Sequence, residues 1–224
     1  MTELVLFDLD GTLIDTAPDM VPAMNEVLAM DGRPPLPYER LRVHVSYGST
    51  GLLLDAYGPE LQGEALEQRR ALFLERYRAR LARESVLFPG IGELLDLIEA
   101  RGMRWGVVTN KPGWLTDPLL VELELGERIA CVVSGDTLAE RKPDPTPLLH
   151  ACEMANVDAT RAVYVGDAER DIAAAIAAGM PGYVALFGYI APEEKPDLWG
   201  ATALLETPAD LWRHLPDHAI AASP

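Results

Sequence analysis

Four short runs of this chain are apolar almost throughout and end in polar residues, acids or glycine: "ELVLFDLD" (3–10), "RWGVVTN" (104–110), "IACVVSGD" (129–136) and "RAVYVGD" (161–167). Runs of this length, rich in β-branched and bulky residues and lacking polar alternation, read as strands buried on both faces. Between and after them, apolar residues recur at helical spacing in "IGELLDLIEARG" (91–102), "GWLTDPLLVELEL" (113–125), "PTPLLHACEMAN" (145–156) and "ERDIAAAIAAG" (169–179). "GYVALF" (182–187) and "ATALLE" (201–206) add a fifth and a weaker sixth strand. Strands alternating with helices predict an α/β protein with a parallel, doubly wound sheet.

One interval is too long for that scheme. A βαβ unit takes roughly 30 residues, yet the first strand ends near Asp10 and the second begins near Arg104. "TAPDMVPAMNEVLAMDG" offers Thr16 as a helix cap, Pro18 in the first turn and Gly32 at the close. "GEALEQRRALFLERYRARLAR" (63–83) sets Leu66, Phe73, Tyr77 and Leu81 near one helical face, and the Pro-rich "GRPPLPYE" (32–39) reads as a loop joining helices. Residues 15–84 are thus expected to form an inserted helical domain, with 1–14 and 85–224 forming the core.

With 224 residues, the chain can bury a substantial core. Its 35 acids against 19 bases give a net charge of −16, which repels nucleic acid and anionic membranes but leaves room for a locally positive site that binds a small anion. Cys131 and Cys152 stand in no metal-binding or redox spacing and read as buried, reduced thiols. No stretch resembles a signal peptide or a membrane span. The expectation is a cytoplasmic monomer or homodimer.

In an open parallel sheet, ligands bind beyond the carboxyl ends of the strands. There the sequence sets Asp8 and Asp10, then Thr109 and Asn110, then Lys142, then Asp167 with Asp171 one helical turn on. Along a strand, Asp8 and Asp10 would share a face, where two like charges disfavour each other's ionisation. A cation between them, or a proton to be moved, would compensate. Up to four carboxylates, a hydroxyl, an amide and an ammonium in one crevice match phosphoryl transfer. Carboxylates hold Mg²⁺, an Asp can attack phosphorus, and Lys, hydroxyl and backbone N–H groups neutralise the phosphoryl oxygens.

In "DLDGT", "VVTN", the Lys of "RKPDP" and "GDAERD", taken in that order, the chain resembles the haloacid-dehalogenase-like phosphatases over nearly its whole length. The resemblance implies a Rossmann-like core with an inserted α-helical cap. It implies Asp8 as nucleophile and metal ligand, and Asp10 as acid and then base, its carbonyl on Mg²⁺. Thr109 and Asn110 would hold the phosphoryl group, Lys142 would stabilise charge on Asp8 and phosphate, and Asp167 would bind Mg²⁺. Many relatives carry a second acid directly after the last motif's Asp. Here that position is Ala168, which passes the supporting role to Asp171, directly on the metal or through water. "WGVVTNKP", "SGDTLAERKP" and "FGYIAPEEKPDLWGA" point to the phosphoglycolate phosphatase group, beside relatives that act on N-acetylmuramic acid 6-phosphate. The substrate expected is a small phosphomonoester.

"SYGSTG" (46–51) is either a helix junction or a substrate-specificity loop using Ser46 and Gly48. Asp136 reads as a loop or cap residue, and His44, His150, His214 and His218 form no constellation. A phosphoacceptor signalling module would share the strand-end residues but needs no cap or acid–base. A phosphomutase shares every core motif and differs in what attacks the phosphoenzyme. A halide-releasing enzyme would leave Asp10 and the metal carboxylates without a role.

Overall fold

The computed structural model describes residues 1–215. In chain order its elements are β1 (Leu4–Phe7), β2 (Ile14–Asp15), α1 (Ala17–Met30), α2 (Tyr38–Arg42), α3 (Gly48–Tyr57), α4 (Gly63–Arg78) and β3 (Val86–Leu87). The order continues with α5 (Ile91–Ala100), β4 (Arg104–Val108), α6 (Gly113–Glu122), β5 (Val132–Val133) and α7 (Thr146–Met154). It closes with β6 (Ala162–Gly166), α8 (Glu169–Ala177), β7 (Gly182–Ala185) and β8 (Ala203–Leu205).

Six strands form a parallel sheet in the order β5-β4-β1-β6-β7-β8. Its apolar residues divide by parity. Val5 and Phe7 join one buried cluster with Trp105, Val107, Val163 and Val165, covered by α5 and α6. Leu4 and Leu6 join a second cluster with Val108 and Tyr164, covered by α7 and α8. Burial on both faces is why these strands read as unbroken apolar runs rather than as alternating ones. Register brings the central strand ends level, since Phe7 pairs with both Val107 and Val165. The residues immediately beyond them, Asp8, Thr109 and Asp167, therefore emerge together.

Helices α1 to α4 lie between β2 and β3, which pair antiparallel through Ile14 with Leu87 and Asp15 with Val86. Their apolar faces, including Met20, Met24, Leu52, Phe73 and Tyr77, are continuous with the sheet's first cluster. Asp19, fully buried, accepts hydrogen bonds from the amides of Glu84 and Ser85 and from the Ser85 hydroxyl, tying the start of α1 to the return strand.

Three local expectations change, and one open reading is narrowed. The first strand ends at Phe7, so Asp8 and Asp10 lie in the loop after it, although the Asp8 amide still donates to Val165 O at 2.8 Å. Thr16 occupies the N-cap position of α1, as expected, but its side chain makes no capping bond; its hydroxyl donates to Asp10 Oδ1 at 2.6 Å instead. Helix α4 stops at Arg78, short of the periodic pattern. "SYGSTG" contains the end of a 3₁₀ turn (Val45–Tyr47) and the first turn of α3. Asp136 acts as a cap, its Oδ1 accepting from the Gly113 amide at 2.7 Å. Both cysteines are free and buried, and burial pushes their thiols up, to about 12 for Cys131 and about 11 for Cys152.

Candidate active site

The loop after β1 turns on itself, with the amides of Leu13 and Ile14 donating to Leu9 O. Gly11 makes the turn possible. Its φ is +89°, and a Cβ there would lie 2.0 Å from Asp167 Oδ2. Gly188 approaches Asp167 from the other side, where a Cβ would meet Asp167 Cβ at 2.5 Å. Two glycines thus leave room for one buried carboxylate.

Asp8, Asp167 and Asp171 are all buried, and each offers a carboxylate oxygen within 4.8 Å of the others. Lys142 Nζ, with a fully buried side chain, lies 2.9 Å from both Asp8 Oδ1 and Asp171 Oδ1. Its Nζ also donates to Val108 O at 2.9 Å and to the Tyr164 hydroxyl at 2.6 Å, so one ammonium is shared among four oxygens. Arg170 adds a second cation, 4.0 Å from Asp8 Oδ2, and donates to the Ser46 carbonyl. Burial works against the Arg170 charge, but the three aspartates outweigh it and raise its pKa. Three acids against two bases leave the cluster short of positive charge. An oxygen-only donor set whose carboxylates outnumber the cations beside them suits a hard divalent cation.

The acids register the same shortage. Burial first, then Asp8 and Asp171, push Asp167 up to about 7, against hydrogen bonds from the Ser46 hydroxyl (2.5 Å) and the Tyr189 amide (2.9 Å). Burial likewise raises Asp171, against the pull of Lys142. Because Asp167 binds its proton more tightly folded than unfolded, its contribution to stability is full below about pH 4 and is lost as pH rises towards 7. In chelator, Asp167→Asn is therefore expected to melt above the wild type at about pH 8, with the gap closing near pH 4. A gap of equal size at both values would assign the effect to the altered hydrogen bonds.

Asp10 is held differently. Its carboxylate accepts from Thr16 and from Lys111 Nζ at 3.0 and 3.3 Å. Lys111, buried, also donates to the Tyr77 hydroxyl of α4 at 2.9 Å and lies 4.4 Å from that ring's centroid. Burial would lower the Lys111 pKa, but Asp10 and Tyr77 reverse the balance and raise it. Asn110 exchanges hydrogen bonds with the Lys142 backbone, accepting from its amide at 3.2 Å and donating to its carbonyl at 3.1 Å. That pair fixes the loop from which the Lys142 side chain enters.

Above these groups is a cavity of about 360 Å³. Asp8, Asp10, Thr109, Asn110, Ser46 and Gly48 line it, whereas Lys142, Asp167 and Asp171 are not among its lining residues. Ser46 sits at the boundary, with its hydroxyl on Asp167 Oδ2. Arg70, Lys111, Arg141 and Arg170 also line the cavity, which makes it locally basic in a strongly acidic chain. His44, His150 and His214 are absent from its lining, and His218 lies outside the described residues.

Sequence reasoning passed over Arg170 and Tyr189 as site residues. Arg170 stands inside "GDAERD", directly before Asp171, and that position was its available signal. Tyr189 had none. Its amide holds Asp167, while its hydroxyl donates to Asp15 and accepts from the Ala17 amide, joining the acidic cluster to the entry of α1.

A parallel α/β sheet with buried carboxylates and a basic cavity at its strand ends defines an enzyme that handles small anions. The family model described as "Haloacid dehalogenase-like hydrolase" matches residues 5–185, and the chain belongs to that family. It is 47% identical over 208 residues, 93% of this chain and 94% of the relative, to the phosphoglycolate phosphatase of Xanthomonas campestris pv. campestris. It is 41% identical over 207 residues, 92% of each chain, to the N-acetylmuramic acid 6-phosphate phosphatase of Pseudomonas aeruginosa. Among solved structures, one from Haemophilus somnus described as a predicted phosphoglycolate phosphatase superposes with a TM-score of 0.83 at 25% identity, covering 95% of this chain and 97% of that one. The chain is a phosphatase of this family. Phosphatases of the family generally use a divalent metal, and this chain carries a buried acidic cluster able to hold one. Among the described residues, no helix is long and apolar enough to cross a membrane.

Proposed function

We propose that this chain is a Mg²⁺-dependent phosphomonoesterase that converts 2-phosphoglycolate to glycolate and phosphate through an aspartyl-phosphate on Asp8. The observation that carries the reading is the meeting of Asp8 and Asp10 in one basic cavity, with Asp8 also in the three-carboxylate cluster. An Asp8 oxygen attacks phosphorus as the bond to the leaving oxygen breaks, and Asp10 gives that oxygen its proton. Asp10 then takes a proton from water, the water oxygen attacks phosphorus, and the bond to Asp8 breaks. Thr109 and Asn110 orient the phosphoryl group, and Lys142 and Arg170 offset its charge. Asp8, Asp167 and the Asp10 carbonyl would hold Mg²⁺, with Asp171 beside them. The ion supplies charge neutralisation at the phosphoryl oxygens. Residues 15–84 act as a cap that excludes water other than the attacking one. Ser46 and Gly48 bring the cap to the site, in a cytoplasmic protein.

The 41% identity to a phosphatase named for N-acetylmuramic acid 6-phosphate supports a second reading, with that sugar phosphate as substrate. A phosphate-release assay over a panel of small phosphomonoesters separates the two. We expect activity to vanish in chelator and return with Mg²⁺, with 2-phosphoglycolate the best substrate. Faster turnover of the sugar phosphate would select the second reading, and full activity in chelator would refute the metal's role. Asp167→Ala is expected to raise the Mg²⁺ requirement more than Asp171→Ala; equal effects would make both acids direct ligands.

A further inference from the structure

Of the residues in 15–84 that line the cavity, Arg70 of α4 is the single charged one among the described residues. The remainder of that wall is apolar or neutral, including Met20, Phe73 and Leu74. Of the other cations that line the cavity, Lys111 and Arg170 are engaged with site carboxylates, and Arg141 belongs to the core, directly before Lys142. Arg70 has weaker ties. Its Nε donates to Ser49 Oγ at 3.2 Å, and its Nη1 approaches Glu67, whose side chain is 67% exposed, at 3.5 Å. Its Nη2 makes no hydrogen bond among the described residues. The side chain is 32% exposed, and Arg70 also lines a groove shared with Arg78 and Trp114. It therefore stands between the catalytic cavity and the outside.

We infer that Arg70 is a specificity-determining residue that receives a carboxylate on the leaving group, so that the substrate is a phosphate ester of a carboxylic acid. This rests on the phosphomonoesterase reading above and extends it to the other end of the substrate. The phosphoryl group is served by the core. The helical segment then offers the leaving group one cation, no anion and an apolar wall. A guanidinium pairs with a carboxylate through two parallel N–H···O bonds, a geometry that ammonium cannot reproduce. Both compounds named for the relatives meet the requirement, since 2-phosphoglycolate and N-acetylmuramic acid 6-phosphate each carry one carboxylate besides the phosphate.

The test uses two substrate pairs, each differing in the carboxylate-bearing group: 2-phosphoglycolate against ethyl phosphate, and N-acetylmuramic acid 6-phosphate against N-acetylglucosamine 6-phosphate. The readout is the ratio of kcat/KM within a pair. For the pair containing the better substrate, the wild type is expected to prefer the carboxylate member. R70Q is expected to reduce that preference by about 10- to 100-fold, mainly through KM, as loss of a charge-assisted pair implies. R70K is expected to fall between, because it keeps the charge without the planar fork. If R70Q is not folded, R70K alone carries the test through the same ratio. A wild type indifferent to the carboxylate, or a ratio unchanged in a folded variant, overturns the inference while leaving the phosphatase reading intact. A wild type that hydrolyses none of the four esters refutes both, and is recognised before any variant is made.

Discussion

Asp8→Asn is expected to abolish phosphate release while leaving the fold in place. The amide has nearly the shape of the carboxylate, and the Asp8 backbone keeps its bond to Val165 O. The change also removes one of three buried acids that face one another, so in chelator the variant is expected to melt no lower than the wild type. What it lacks is a competent nucleophile. Losses for removing a covalent nucleophile reach about 10⁶-fold in kcat, and a fall of at least about 10⁴-fold is expected here. Acid quenching during turnover should trap a phosphoryl group on the wild type and none on the variant. A folded Asp8→Asn protein with substantial activity, or a wild type that never labels, would sink the covalent route.

Lys142→Met is expected to affect both stability and catalysis. The Lys142 and Asp171 side chains are wholly buried, and Nζ lies at 2.9 Å from Asp8 and Asp171 alike. Removing one partner of a buried pair costs about 3–5 kcal/mol, because the other charge stays buried. For a chain of this size that amounts to a drop in Tm of roughly 10 °C. Metal-free, the loss should shrink on acidification, since Asp167 and Asp171 both have raised pKa values and their protonation relieves the repulsion. Catalysis should fall by about 10²–10³-fold, the usual effect of removing one electrostatic stabiliser. A folded Lys142→Met enzyme with wild-type turnover would restrict the lysine to a structural role.

Several elements could be read from local pattern because one physical cause dominated each. The core strands carry no alternation, since both faces are buried, and they remain recognisable as short apolar runs with polar ends. Helices α5, α7 and α8 show their buried face at helical spacing. Elements α2 and α3 lacked such a signal: α2 follows a Pro-rich link and is five residues long, and α3 begins in the Gly- and Ser-rich stretch that also reads as a loop. Thr16 has the chemistry of a cap, but the carboxylate of Asp10 is a stronger acceptor for its hydroxyl than a backbone amide is a donor to it.

The sequence by itself determined the α/β class, the order of the core strands along the chain and the residue types gathered beyond them, because these follow from burial period and from parallel topology. Only the tertiary structure decided who touches whom. Lys111 reaches Asp10 across 101 residues and Tyr77 across 34, Ser46 reaches Asp167 across 121, and Tyr189 reaches Asp15 across 174. Such contacts depend on strand order, register and the packing of α1 and α4 against the sheet, and no local pattern encodes those relations. The charge balance of the acidic cluster likewise exists only once desolvation and three converging carboxylates act together, which is why Asp167 carries its raised pKa in the folded chain alone.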